Sequence, residues 1–275
     1  KVTIEPVTRV EGHGKVTIHL DDEGKVSESR LHIVEFRGFE RFVRGRPYWE
    51  APVLVQRLCG ICPVSHHLAA AKATDVIVGA GTGEGLTPTA EKMRRLMHYG
   101  QVFQSHSLHF FHLVSPDLLF GVDADPATRN IVNVALHDKE LAKQGVMMRK
   151  FGQEIIKATA GKKIHGTGAI PGGINKNLTE EERDYFLNGE TLPSVDHMIE
   201  WAQGALAFFK NYHAEHRELV DNFSVFPSNN LSLVREDGAL DLYHGVLRAT
   251  APDGSRIFDG VPSEEVRAEY GLGGE

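Results

Sequence analysis

Cysteine is nearly absent from this chain: its 275 residues hold two, Cys59 and Cys62. Two cysteines cannot build a disulfide framework, so a reducing compartment, the cytoplasm, is the expectation. A folded protein can still be exported on a partner's signal. Basic residues are outnumbered, with 30 Lys and Arg against 37 Asp and Glu and a formal net charge of −7. That leaves no basic stripe for phosphate contacts and argues against a nucleic-acid partner. Long apolar runs are missing as well. A membrane-spanning helix needs roughly 20 consecutive apolar residues, so no transmembrane segment is expected. The stretch from Lys1 to Val10 holds no apolar signal-peptide core. Internal repeats and low-complexity tracts are lacking.

What is present is an ordinary globular composition, 41% apolar and 24% charged, enough for a real core in one or two domains. Histidine is plentiful, 15 in all, and clusters at His66-His67 and at His106, His109 and His112.

The pattern predicts an α+β fold: a mostly helical body, a small N-terminal antiparallel β element and a second small β patch. Val16, Ile18 and Leu20 alternate with polar residues, Asp21 to Gly24 makes a turn, and an extended pattern resumes from Val26 to Val34. Together they predict a hairpin, followed by an Arg-rich loop from Phe36 to Tyr48. Pro63 suits a first helical position, with a helix over Val64 to Val78. Thr87-Pro88 predicts a cap and a long helix over Thr89 to Val114, and Pro126 to about Ala160 predicts another. Thr179 to Glu182 reads as a capping box. Ser194 to Val220 is helical, and residues 230–260 return to short strands punctuated by Asp237-Gly238 and Asp253-Gly254. The expected organisation is a β element over 1–50, a helical body over 51–225 and a β/loop segment over 226–275.

The two cysteines sit in Arg57-Leu-Cys-Gly-Ile-Cys-Pro-Val-Ser-His-His67. Two thiolates at this spacing can grip one soft metal but leave its coordination unfinished. Gly60 allows a tight turn between them. At a helix start the macrodipole lowers a thiol pKa, so Cys62 is expected to favour its thiolate. His66, one turn further on, can donate an N–H to a coordinated sulfur. The spacing alone leaves other readings open. One is a thioredoxin-like redox dithiol, which the long helices do not fit. Another is a zinc-stabilised interaction module completed by His66 and His67, although adjacent histidines do not readily face one metal from a helix. Val76 to Glu84 imitates a nucleotide-binding glycine loop, but the third glycine position falls on Glu84 or Leu86. These glycines are better read as the end of a helix.

Beyond the spacing, Arg9-Val-Glu-Gly-His13, Phe36-Arg-Gly-Phe-Glu40, the cysteine motif, Gln104-Ser-His-Ser-Leu-His-Phe-Phe-His112 and Ile170-Pro-Gly-Gly-Ile174 occur in one order over roughly residues 1–180. This ordered set resembles the N-terminal signatures of the [NiFe]-hydrogenase large, catalytic subunit, and is most similar to the soluble NAD-reducing members. The resemblance implies a nickel–iron centre whose iron carries cyanide and carbon monoxide. Cys59 would be a terminal nickel ligand and Cys62 a bridge between the metals. Glu11 would be the proton-transfer carboxylate and Glu40 a ligand of a structural magnesium ion. His66, His109 and Ser105 would lie around the centre. The implied reaction is reversible heterolytic H2 oxidation. Partners would be an iron–sulfur small subunit, with its Fe–S clusters, and diaphorase subunits carrying flavin and NAD. A carboxylate in an apolar setting has its pKa raised toward neutrality, which suits Glu11 to accept the proton.

Bland readings stand beside these. Glu11 can pair with Arg9, Glu40 with the arginines around it, and His106, His109 and Phe110 can form a packed helical stripe. The Ile170 to Ile174 segment reads as a structural turn. A relative like the quinone-proximal subunit of respiratory complex I shares the fold without the thiolates. The chain also departs from the family pattern. No cysteine follows Cys62, so the family's second Cys-x-x-Cys and closing histidine are not in this stretch. Residues 1–275 alone are therefore expected to bind no complete nickel–iron centre. Ser105 stands where many members place an aspartate, and a hydroxyl there can hydrogen-bond but not relay a proton as a carboxylate does.

Overall fold

The structure, a computed structural model, describes residues 1–7, 10–35, 38–81, 85–189 and 193–261. It is α+β and divides into two compact units, Lys1–Asp196 and His197–Glu275.

The first unit opens with β1 (Val2–Ile4), β2 (Gly14–Leu20) and β3 (Val26–Ile33), an antiparallel sheet in that order. The alternation read in the sequence sets the register, with Val16 opposite Leu31 and Ile18 opposite Ser29. Asp21 closes the hairpin, its carboxylate accepting the Glu23 and Lys25 N–H groups. Within the expected Arg-rich loop a short helix forms instead, α1 (Phe39–Val43). Phe39 and Phe42 lie on one side of that turn, their rings 6.1 Å apart, an apolar contact that the surrounding charges mask in the sequence.

Next come α2 (Ala51–Leu54) and α3 (Pro63–Ile77), the latter begun by Pro63 as expected. Gly79 ends α3 with φ +77°, its N–H reaching the Val76 carbonyl. That is the helix-terminating role expected for these glycines; Gly83 and Glu84 lie outside the described residues. α4 (Pro88–Leu108) is capped by Thr87, whose side chain accepts the Ala90 N–H.

The long helix expected to run to Val114 changes character at Leu108. A wider π-helical turn covers His109–Val114, and a separate helix follows, α5 (Ser115–Phe120). Pro116 has no N–H to continue the ladder, and Ser115 turns its hydroxyl back onto the Phe111 carbonyl at 2.7 Å. The helix expected from Pro126 is likewise two, α6 (Ile131–His137) and α7 (Lys139–Ala160). Asp138 breaks them apart: it adopts extended backbone and caps α7 through the Leu141 N–H. Side chains that compete with the ladder for backbone groups are what divide these stretches.

α4 and α7 pack closely because glycines face across their contact. A Cβ at Gly100 would stand 2.7 Å from Cγ2 of Ile155, and one at Gly152 would stand 2.7 Å from Cβ of Gln104. The core around them includes Met93, Met97, Met148, Phe151 and Ile156. β4 (Ala169–Ile170) and β5 (Gly173–Ile174) form a two-residue hairpin over Pro171-Gly172, the structural turn expected there. α8 (Glu180–Asn188) carries the full capping box between Thr179 and Glu182.

In the second unit, α9 (Val195–Glu215), which opens just before the division, is followed by α10 (Arg217–Asn222). β6 (Asn230–Val234), β7 (Val246–Thr250) and β8 (Arg256–Val261) then form an antiparallel sheet. Ala249 and Phe258 make its core, with Leu247 and Val261 against them.

Candidate metal centre

Cys59 and Cys62 are both free thiols, placed where the chain leaves an extended residue and enters α3. Cys59 is buried and Cys62 is half-buried. The Cys59 sulfur accepts two backbone N–H groups, from Ile61 at 3.3 Å and from Cys62 at 3.1 Å. Glu11, at the far end of the sequence motif before β2, brings Oε1 to 3.6 Å from the same sulfur. Three groups that can carry negative charge are thus gathered at one end of α3.

The thiol of Cys62 does not behave as the helix dipole alone predicts. Burial, with the neighbouring Cys59 sulfur and then the Glu11 charge adding to it, pushes the Cys62 thiol up to about 12. The expectation of a lowered value is corrected: dipole stabilisation is confined to a helix terminus, and crowding by groups of the same sign outweighs it. Gly60 also departs from expectation. Its backbone has no positive φ, and a Cβ there would meet nothing within 4 Å. The turn is set from elsewhere. Gln101 and Gln104, both buried in α4, donate their side-chain amides to the Ile61 carbonyl at 3.3 and 3.1 Å.

The other sequence-predicted residues are more dispersed. Glu11 is exposed, so the described residues do not provide the apolar enclosure expected for it. Glu40 is exposed in the first turn of α1, while Phe36, Arg37 and Arg9 lie outside the described residues. His66 is half-buried on α3, and Ser105 is half-buried on α4. His109 is exposed at the start of the π-helical turn, and His106 bonds the Val102 carbonyl of its own helix at 2.9 Å.

His67 has a different role from the one the zinc reading would give it. It is buried, with Nδ1 on the Pro52 carbonyl at 2.7 Å and Nε2 accepting the Ala169 N–H at 3.0 Å. Both ring nitrogens are occupied, so the ring is neutral with its proton on Nδ1. Burial holds its pKa below the ordinary value, and the Arg94 charge works the same way.

Arg94 was not evident from the sequence, nor was its partner Asp75. Buried Arg94 forks onto Asp75 and also donates to the Ile170 and Gly173 carbonyls at 2.7 and 2.9 Å. Asp75 in turn accepts the Gly172 N–H at 2.7 Å. The Ile170 to Ile174 turn is thus fastened to α3 and α4. The available signal was polar side chains on an apolar stripe: Ala90, Met93, Arg94, Met97, Gln101 and Gln104 share one helical face.

Among the described residues, no group of three or more His, Cys, Asp or Glu could hold a metal ion. The two sulfurs suit a soft metal, but they form part of a coordination set.

Comparison with known proteins draws on the whole chain. Residues 37–153 match the family model described as nickel-dependent hydrogenase, and residues 1–36 match one described as HoxL-like. The beta subunit of the NAD-reducing hydrogenase HoxS of Cupriavidus necator is 54% identical over 256 residues, 92% of this chain and 52% of that one.

The chain belongs to the nickel-dependent hydrogenase family.

A subunit of the F420-non-reducing hydrogenase vhu of Methanococcus voltae is also 46% identical to this hydrogenase chain, over 96% of the chain and 60% of the relative. A crystal structure of an NAD+-reducing [NiFe]-hydrogenase in the H2-reduced state superposes with a TM-score of 0.86 at 57% identity, covering 95% of this chain and 56% of that one. The hydrogenase chain thus spans about half the length of the relatives it matches. Among its described residues, no helix is long and apolar enough to cross a membrane.

Proposed function

We propose that this chain carries half of the metal-binding thiolates of a [NiFe]-hydrogenase catalytic subunit. Its reaction is reversible heterolytic H2 oxidation. Electrons pass to an iron–sulfur small subunit, then onward to NAD+ through flavin-bearing diaphorase subunits, in the cytoplasm. The observation that carries the reading is the convergence of Cys59, Cys62 and Glu11 at the head of α3, in a chain 54% identical to an NAD-reducing hydrogenase subunit.

In this reading Cys59 and Cys62 hold the nickel–iron centre, Cys59 on nickel and Cys62 between the metals, with cyanide and carbon monoxide on iron. When bound, that centre supplies the Lewis acidity that makes H2 acidic enough to lose a proton. Glu11 then takes the proton at Oε1, which is already within 3.6 Å of the Cys59 sulfur. A carboxylate that exchanges protons reversibly is the type of group this step needs. Glu40 binds the structural magnesium ion. His66, Ser105 and His109 lie along α3, α4 and the π-helical turn as the polar surroundings of the centre.

The rival zinc module loses its fourth donor, because both His67 nitrogens are committed to the backbone. A complex I-like subunit has no use for the paired thiols.

The test is H2-dependent NAD+ reduction by the assembled complex, with infrared spectra of the same sample. NADH formation together with bands of iron-bound carbonyl and cyanide is the expected result. A complex that contains nickel and iron yet shows neither bands nor H2-dependent reduction of any acceptor overturns the reading.

A further inference from the structure

The loop between the cysteines is held by one carbonyl. Ile61 exposes its side chain, and Gly60 has open space around it, so neither side chain anchors the turn. The Ile61 carbonyl, by contrast, receives the amides of both Gln101 and Gln104. That carbonyl shares its peptide unit with the Cys62 N–H, and the peptide is trans. In a planar trans peptide the C=O and N–H point in opposite directions. Fixing the oxygen on the α4 side therefore aims the hydrogen at the other side, where the Cys59 sulfur accepts it at 3.1 Å.

We propose that Gln101 and Gln104 are positioning residues that set the plane of the Ile61–Cys62 peptide and so aim its N–H at the Cys59 sulfur. This extends the metal-centre reading above, on which its electronic consequence rests. An N–H directed at a ligating thiolate withdraws charge from it and favours the more electron-rich state of the bound metal.

Two further observations support the assignment. Both glutamines are buried, and Oε1 of Gln101 has no partner among the described residues. A buried amide with an unpaired oxygen is an unfavourable placement, so packing alone does not explain it. Gln104 is itself fixed from behind, because α7 approaches it at Gly152 with no side chain between. The path of constraint runs from α7 through Gln104 and the Ile61 carbonyl to the nickel-ligand sulfur.

The test uses the assembled complex with Gln101→Met and Gln104→Met combined, since methionine keeps length and volume but donates no hydrogen bond. Hydrogen–deuterium exchange at the Cys62 amide is expected to accelerate about tenfold or more while the interior amides of α3 and α4 stay unchanged. The potential of the nickel centre is expected to move to more negative values. If the double variant does not assemble, Gln104→Met alone is measured, with the same signs and smaller changes. Unchanged exchange at Cys62, acceleration spread evenly through both helices, or an unchanged potential overturns the proposal. A complex that carries zinc in place of nickel and iron sinks the metal reading instead, and the amide result then decides the positioning role by itself.

Discussion

Arg94 meets Asp75 inside the first unit as a two-pronged pair, Nη1 to Oδ2 at 2.5 Å and Nη2 to Oδ1 at 3.1 Å, with the two side chains 0% and 3% exposed. The pair joins α4 to α3, and its remaining bonds fasten the turn between β4 and β5. Every strong donor and acceptor in it is used, which is the condition under which a buried ion pair is tolerated. Replacing Arg94 by Met leaves the Asp75 carboxylate buried without its cation. A loss of about 3–5 kcal/mol is expected, read by urea denaturation. A loss below about 1 kcal/mol would mean that water reaches Asp75.

Stability should fall in mild acid, and His67 gives the sign. Its pKa is lowered in the folded state, mainly by burial. The unfolded chain therefore binds a proton first, at about 6.5. Stability is full above that value and declines as pH falls from it toward the lower folded value. His112, also lowered mainly by burial, adds to the same trend. His67→Leu is expected to destabilise the protein by roughly 2–4 kcal/mol at pH 7.5, because the Pro52 carbonyl and Ala169 N–H lose their partner. The variant should also show a shallower stability curve between pH 7 and 5. Parallel curves for the two proteins would remove His67 from the account.

Gly152→Ala separates packing from helix propensity. In an exposed helix the change would stabilise by up to about 1 kcal/mol. Here the new Cβ would stand 2.7 Å from both Gln104 Cβ and the Gly100 carbonyl oxygen. Overpacking of this kind typically costs about 1–3 kcal/mol. The melting temperature is expected to drop, and a rise would show that α4 and α7 can separate freely.

The catalytic assignment of Glu11 is tested by Glu11→Gln in the assembled complex. Loss of a proton acceptor in this role lowers turnover by about 10²–10⁴-fold. Nickel and iron contents should match those of the unaltered protein. Turnover within a factor of two of the original would reassign the proton step to another group.

Much of this architecture is legible in local sequence because local chemistry decides it. Thr87, Thr179 with Glu182, and Pro63 mark helix starts, and Asp21 to Gly24 marks the hairpin. The breaks at Asp138 and in the His109–Val114 turn are less visible, since helix-forming residues surround them and single side chains tip the balance. Contacts across long separations are not legible at all. Nothing near Ile61 announces that glutamines 40 and 43 residues away hold its carbonyl. The Cys62 thiol illustrates the same limit. Its helix terminus was visible in the sequence, whereas burial and the approach of Cys59 and Glu11 were not, and those decide its proton affinity.

The claim on which the account rests is that Cys59 and Cys62 hold nickel and iron. Elemental analysis of the purified complex, with and without Cys62→Ser, tests it most directly. The account predicts nickel and iron in equal amounts in the unaltered complex and loss of both in the variant. Zinc alone at the site, or metal content indifferent to the substitution, would contradict it.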